Sequence, residues 1–513
     1  MLKSLKYRGL LKILGAIIVT FWIGMMGLLI KKEHFKEFNG NNGYENGLTQ
    51  VSTRQREWKE IYLNNRKVGY TVNMIQPFEQ GYYIQEEIFL KLNLMGLERG
   101  LYTITQAGVD NQFILRNFKF KMNSGVVSYE ISGSVEGDQL LIKTGRGRKR
   151  RTQNIPLSEP LMIGAGMGHL FKTLKIGVGI EYRLPFFDPS TMSQDEAIFK
   201  VVGKESLKIM NRTYNAFRVE TEMWGRILTF WLDEEGTVLK EEGLMGMVMV
   251  KSSAANAPLG VGGDVNEDDD FYELTAVPVD RGLPNPVRLR YLKLKVIGIE
   301  DSNIEATALN EGRQKFSDGI MEIRGEKKPI NGSYLIPYDR PDEGVIPFLR
   351  AEFNIESDAK EIREKAIDIV GEERDPVEAS RRLLKWVYDN LDKKPVISVP
   401  SALEVMETKE GDCNEHATLL TALLRASGIP ARLSIGLVYN GNKFFYHAWT
   451  EAYVGEWISM DATLNQIPAD VSHVLLMHGN LDKQVEIMGL IGKLKFEVID
   501  FEYDRDNRSG QDL

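Results

Sequence analysis

The chain has 513 residues, 43% of them hydrophobic, with a formal charge of −8 and an isoelectric point near 5.6. That length exceeds one core, so about two to four domains are expected, and the acidic balance excludes a nucleic-acid binder built on a basic face. Its one cysteine, Cys413, excludes an intramolecular disulfide and a zinc site made of thiolates, and leaves the redox compartment open.

Residues 13–30, ILGAIIVTFWIGMMGLLI, are 18 consecutive uncharged positions. That just meets the length for a membrane-spanning helix, and Leu10 and Leu11 extend it past a snorkelling Lys12. The run ends in LLIKKEHFKEF with no small-x-small cleavage site, which predicts an uncleaved anchor over residues 1–36. Lys3, Lys6, Arg8 and Lys12 precede the span, and Lys31, Lys32 and Lys36 follow it. The slight excess before the span favours a cytoplasmic N-terminus. In a bacterium this predicts a single-pass inner-membrane protein with its bulk on the periplasmic side.

Residues 37–56, with NGNNGYENG, read as a flexible tether. Residues 57–252 are short alternating runs such as GYYIQEEIFLKL, FILRNFKFKM and RILTFWLDEEGTVLK, punctuated by Gly and Asn. They predict an antiparallel β-rich domain, as a sheet or a partly open barrel. The cluster GRGRKRR (Arg146, Arg148, Lys149, Arg150, Arg151) reads as a solvated hairpin tip, because no aromatics interleave it. Residues 253–270 are a Gly- and acid-rich linker. Asp264, Asn266 and Asp268 imitate the start of a calcium loop, but Asp269 stands where glycine is needed and Thr275 where glutamate is needed. A second, smaller β-rich segment covers 271–350, with VRLRYLKLKVIGI as its clearest strand.

From 355 to 505 helices enter. SDAKEIREKAIDIV places Ile362, Ala366, Ile369 and Val370 on one face. DPVEASRRLLKWVYDNL opens with an Asp375 N-cap, Pro376 at the first helical position and Glu378 closing a capping box, and SALEVMET is a short helix capped by Ser401. In EGDCNEHATLLTALLRASGIPAR, Asp412 is the N-cap and Glu415 completes a capping box, so Cys413 takes the first helical position. The free N–H groups and positive dipole end there favour a thiolate. The helix runs through Leu419, Leu420, Leu423 and Leu424 and stops at Gly428, with Pro430 beyond.

A nucleophilic thiol needs a base and the base an orienting group. Four of the six histidines follow Cys413: His416, His447, His473 and His478. His416 shares the helix and could reach the thiol, with no orienting group near it. Cys413 and His416 could also be metal ligands, but no third ligand has metal spacing. His447 lies in KFFYHAWTEAYVGEWISMDATL, a predicted hairpin from Lys443 to Thr463. With the three-residue turn Tyr453-Val454-Gly455, Ala452 faces Glu456 and His447 faces Asp461. A two-residue turn would put them on opposite faces, so the catalytic reading requires a turn of odd length.

GDCNEHATLLTALLRASGIPARLSIGLVY and YHAWTEAYVGEWISMDAT together resemble the transglutaminase-like superfamily, relatives of papain-type cysteine enzymes. The match runs through Gly411, Cys413, Gly428 to Arg432, His447 to Trp449, Trp457 and Asp461, with DAT where the family more often has Asp-Pro-Thr. The resemblance implies a transglutaminase-like (papain-like) C-terminal core, so the expected fold class is α+β, with that core behind the transmembrane helix and antiparallel β-rich domains read from hydropathy and alternation. It also implies Cys413 as nucleophile, His447 as general base and acid, and Asp461 as its orienter, acting without cofactor or metal on a peptide or protein amide. Hydrolysis is favoured over crosslinking. The Cys413 N–H is a candidate oxyanion donor; the sequence does not identify the second donor, and Trp386 and Trp449 are aromatic candidates for which core packing is the favoured reading. The rival reading is a catalytically inactive module that binds envelope proteins or cell-wall peptides.

Overall fold

The computed structural model describes residues 53–503 apart from 126–127, 146–150, 224–225, 263–269, 301–303, 305–307, 397, 400, 480–485 and 488. Alternation dictates the first half. In Leu115–Asn123, Phe118, Phe120 and Met122 are buried while Lys119 and Lys121 pair with Glu130 on the other face. Fifteen such strands, from Gln55–Leu63 to Met247–Ser252, form one sheet. Its first and last strands pair in the middle, Trp58 opposite Ser252, so two meanders run outward from that seam. Both meanders fill a single core, with Ile84, Ile131 and Leu140 from one and Phe187, Phe199 and Leu232 from the other. The segment Gly164–Leu170 is part of it, with His169 and Leu170 buried. The sheet curls around this core, and among the described residues its outermost strands, Arg151–Pro156 and Met162–Ile163, do not pair with each other.

The short helix Phe271–Thr275 ties the sheet to the rest. Asp270 caps it and accepts the Gly96 N–H at 2.7 Å, while Tyr272 stacks on Phe445 with centroids 4.3 Å apart and planes at 7°. Lys443 and Glu273 pair at 2.7 Å beside that stack. The second β-rich segment is not a separate unit. Leu289–Ile297, Gln314–Ser317 and Ile320–Arg324 form a four-stranded sheet with the C-terminal strand Lys495–Tyr503. Their Leu292, Leu294 and Ile323 share a core with Leu437 and Val474 of the C-terminal domain.

In that domain, helices Lys360–Val370, Pro376–Asn390 and Ala402–Thr408 surround helix Cys413–Ala426. Leu419, Leu420, Leu423 and Leu424 are all fully buried, worth about 1.5–3 kcal/mol each. Two expected caps are made differently. Asp375 accepts from Val377 and Glu378, but Glu373, not Glu378, takes the Asp375 N–H, leaving Glu378 to pair with Arg382. Ser401 donates to Glu356 instead of capping its helix. Arg425, also buried, bonds the carbonyls of Ala431 at 2.8 Å and Arg350 at 2.7 Å and so fixes the far end of the cysteine helix.

The expected architecture needs a correction. Among the described residues no helix is long and apolar enough to cross a membrane. The physical reason is length first: the longest described helix, Pro376–Asn390, has 15 residues, and it also carries an arginine- and lysine-bearing face. The expected transmembrane helix over Ile13–Ile30 lies outside the described residues and is no part of the fold class, which is a large sheet joined to an α+β core. Arg146, Arg148, Lys149 and Arg150 of the basic cluster and the calcium-loop mimic at Asp264, Asn266 and Asp268 also lie outside. Arg151, which is described, pairs with Asp358.

Candidate active site

Asp412 caps the cysteine helix, accepting the Asn414 N–H at 3.0 Å, while Glu415 accepts the Asp412 N–H at 2.9 Å. Gly411 is required just before it, because a Cβ there would stand 2.2 Å from Glu415 Cβ. Cys413 therefore opens the helix, half-buried. The helix lies on strand Lys443–Tyr453 through the hydroxyl of Thr450, which donates to the Ala417 carbonyl at 3.1 Å and meets Thr421 at 3.1 Å. At its N-terminal end the backbone N–H of Ala448, the residue after His447, favours the Cys413 thiolate.

The hairpin carrying His447 turns through three residues, Val454-Gly455-Glu456, so Tyr453 faces Trp457 and Thr450 faces Met460. The turn length is odd, but the loop sits one residue later than Tyr453-Val454-Gly455. Gly455, at φ +120° and with no room for a Cβ beside Ser333, fixes that placement. Asp461 thus continues diagonally from His447 instead of facing it, and bridges Gln466 in a local turn. The side chains still meet: His447 Nε2 lies 2.7 Å from Asp461 Oδ2.

Asp461 is fully buried and holds four donors. Oδ1 accepts the N–H groups of Thr463 at 2.7 Å and Leu464 at 2.9 Å. Oδ2 accepts from His447 and, at 3.0 Å, from His473 Nε2. Burial alone would raise its pKa, but the two imidazoles hold the carboxyl far below the usual range. Because Nε2 of His447 donates to an acceptor-only carboxylate, Nδ1 is left bare as the basic atom. No hydrogen bond joins His447 to Cys413. The structure brings His447 and Asp461 together and sets the thiol beside the next residue on the strand.

The thiol is not activated in the way a helix terminus alone would predict. Burial first, then the Asp412 carboxylate, push it well above its ordinary value, and the Ala448 N–H only partly opposes them. Proton removal from Cys413 therefore needs a base. His416 is a poor one: fully buried, its Nδ1 is taken at 2.7 Å by the Asp412 carbonyl, and burial pushes its pKa down. Trp449, buried beside His447, has an Nε1 with no partner among the described residues, whereas Trp386 packs in the helical core.

Two contributors escaped sequence reasoning. Tyr272 comes from the interdomain helix, and its phenol lies within electrostatic reach of Cys413 and Asp412. No sequence signal near position 272 announces this. His473 was one of four nearby histidines, and only its carboxylate contacts single it out. His447, Asp461 and His473 are the described residues with ligand atoms close enough to hold an ion. Ligands around zinc, each about 2.0–2.1 Å from the metal, stand about 3.3 Å apart. The observed 2.7 and 3.0 Å contacts are shorter and are those of shared protons.

The profile of the transglutaminase-like superfamily matches residues 363–462. No curated protein matches the sequence. Among solved structures, a candidate cysteine protease from Cytophaga hutchinsonii is 20% identical over 42% of this chain and 86% of its own, at a TM-score of 0.28. A β-barrel-like protein from Brucella abortus is 14% identical over 39% of this chain and 95% of its own, at 0.29. A candidate protease from Parabacteroides distasonis is 11% identical over 70% of this chain and 68% of its own, at 0.20. Likenesses at these scores carry no argument about function. The family match rests instead on the segment that holds Cys413, His447 and Asp461: residues 363–462 form a transglutaminase-like superfamily domain.

Proposed function

We propose that the chain is a cysteine enzyme that transfers an acyl group from an amide through a thioester, with water as the preferred acceptor. The observation that carries this reading is the buried His447–Asp461 hydrogen bond at 2.7 Å, on the strand against which the Cys413 helix packs. His447 Nδ1 takes the thiol proton as sulfur attacks the carbonyl carbon. The oxyanion forms near the Cys413 N–H, one of the free donors of the helix's first turn. His447 then gives its proton to the leaving amine, and a water deprotonated by His447 resolves the thioester to the acid. Asp461 keeps the imidazole oriented and stabilises its charged form. The substrate class is a peptide or protein amide.

One observation favours the second reading, a non-catalytic binding module: burial and Asp412 hold the thiol protonated. Alkylation of Cys413 by iodoacetamide at neutral pH separates the two. Fast labelling that His447→Asn slows at least tenfold supports the enzyme, and slow labelling indifferent to His447 supports the module.

A further inference from the structure

We infer that His473 is a positioning residue of this site, a buried imidazolium that pins the Asp461 carboxylate and sets a positive charge beside His447. The inference rests on the reading of His447 and Asp461 given above, and it concerns the group behind the carboxylate instead of the nucleophile.

The charge on His473 follows from its partners. The side chain is fully buried. Its Nε2 lies 3.0 Å from Asp461 Oδ2, and its Nδ1 lies 3.2 Å from the Asp470 carbonyl oxygen and 3.4 Å from Asp470 Oδ1. Carbonyl and carboxylate oxygens only accept, so a ring facing them at both nitrogens donates from both and is charged. Asp470 is itself committed as an acceptor: Oδ1 takes the Ser472 N–H at 2.9 Å and hydroxyl at 2.5 Å, and Oδ2 takes the Gln466 side-chain amide at 2.9 Å.

The sheet brings this cation to His447. Gly436 pairs with His447 on one side, and Val438, two residues on, pairs with His473 on the other, so the two histidines share a sheet face across Gly436. A Cβ on Gly436 would stand 2.0 Å from the Val474 carbonyl and 3.0 Å from Trp449, so glycine is what allows the close approach. The two imidazole centroids are 5.6 Å apart, and both Nε2 atoms meet the same oxygen. A carboxylate favours the charged form of an imidazole beside it, and a second positive charge on the same oxygen opposes that pull. Arg313 bonds the Asp470 and His473 carbonyls at 3.0 and 3.3 Å and neighbours Glu326, while Cys413, Asp412 and Glu415 stand on the thiol side. None of these side chains hydrogen-bonds either imidazole.

Nitrogen-15 histidine spectroscopy of the full chain tests this, read in the Cys413→Ala background, where no nucleophile is involved. His473 should show two protonated ring nitrogens at neutral pH. In His473→Gln the titration midpoint of His447 should rise by about one to two pH units, the Coulomb effect of one charge across that spacing at an effective dielectric of about 20–40. A bare nitrogen on His473 at neutral pH, or a His447 midpoint that stays within about 0.3 unit, overturns the inference. Should His473→Gln fail to fold, Asp470→Asn is read instead. Removing that carboxylate should lower the His473 midpoint by about one unit or more, and an unmoved midpoint is the overturning result. The nucleophile assignment fails separately, through Cys413 labelling in the otherwise unaltered chain.

Discussion

Asp461→Asn is the most exposed perturbation of this site. The substitution keeps the shape and the oxygen that accepts from Thr463 and Leu464, but it replaces Oδ2 with an amide that donates toward two donors, His447 Nε2 and His473 Nε2. Breaking a buried charged pair costs about 3–5 kcal/mol. Here the loss has a ceiling, because His473 can release its proton and accept from the new amide. Against its burial, Asp461 and Asp470 together raise His473 from 6.5 to about 9 in the fold, which corresponds to about 3 kcal/mol of proton-linked stability, so a loss of at most about 3 kcal/mol is expected. The same change removes the group that keeps His447 Nδ1 bare, and the alkylation rate of Cys413 should fall by about 10²–10⁴. Urea unfolding followed by tryptophan fluorescence reads the first effect, and iodoacetamide labelling at neutral pH reads the second. A variant as stable as its parent would show that the buried carboxylate is not paired as described. Lost stability with unchanged labelling would make Asp461 purely structural.

Further outcomes are specific to single residues. Cys413→Ala should abolish turnover and labelling while shifting the unfolding midpoint little, since its neighbours Asp412 and Glu415 keep their capping bonds; residual turnover of a substrate of the parent would remove the nucleophile assignment. His447→Asn should slow labelling far more than His416→Asn, because the Asp412 carbonyl already occupies His416; the reverse order would move the base to His416. Gly436→Ala should destabilise the domain by about 2 kcal/mol or more through overlap with the Val474 carbonyl, measured by urea unfolding. A wild-type-like midpoint there would mean that the His473 strand is not packed so closely. Stability should also depend on pH. His473 binds its proton more tightly folded, at about 9, than its ordinary 6.5, so its contribution is complete below 6.5 and is lost as pH rises through 9. Asp470, held at about 2 against an ordinary 3.8, contributes above 3.8 and loses that contribution as pH falls through 2. Thermal scans between pH 7 and pH 10 should show a declining midpoint that His473→Gln flattens.

The sequence by itself determined what local rules govern. Capping chemistry at Asp412 and Glu415 put Cys413 at the head of its helix, and alternation announced the antiparallel strands of the first half. An odd turn after His447 followed from Gly455 and the spacing to Asp461, although the loop slid by one residue because Ser333, distant in sequence, packs where a Cβ would otherwise stand. Local rules failed where another group competes for the same atom: Glu373, two residues before Asp375, displaced Glu378 from its capping box, and Glu356, distant in sequence, drew Ser401 away from its helix. Only the tertiary structure decided that the second β segment closes on the C-terminal strand, that Tyr272 comes within electrostatic reach of the thiol, and that burial and the carboxylates of Asp412, Glu415 and Asp461 oppose the helix dipole at Cys413. It alone decided the role of His473. Four histidines follow the cysteine in sequence, and what separates them is which carboxylate each one reaches, a property of sheet register and of the space left by Gly436.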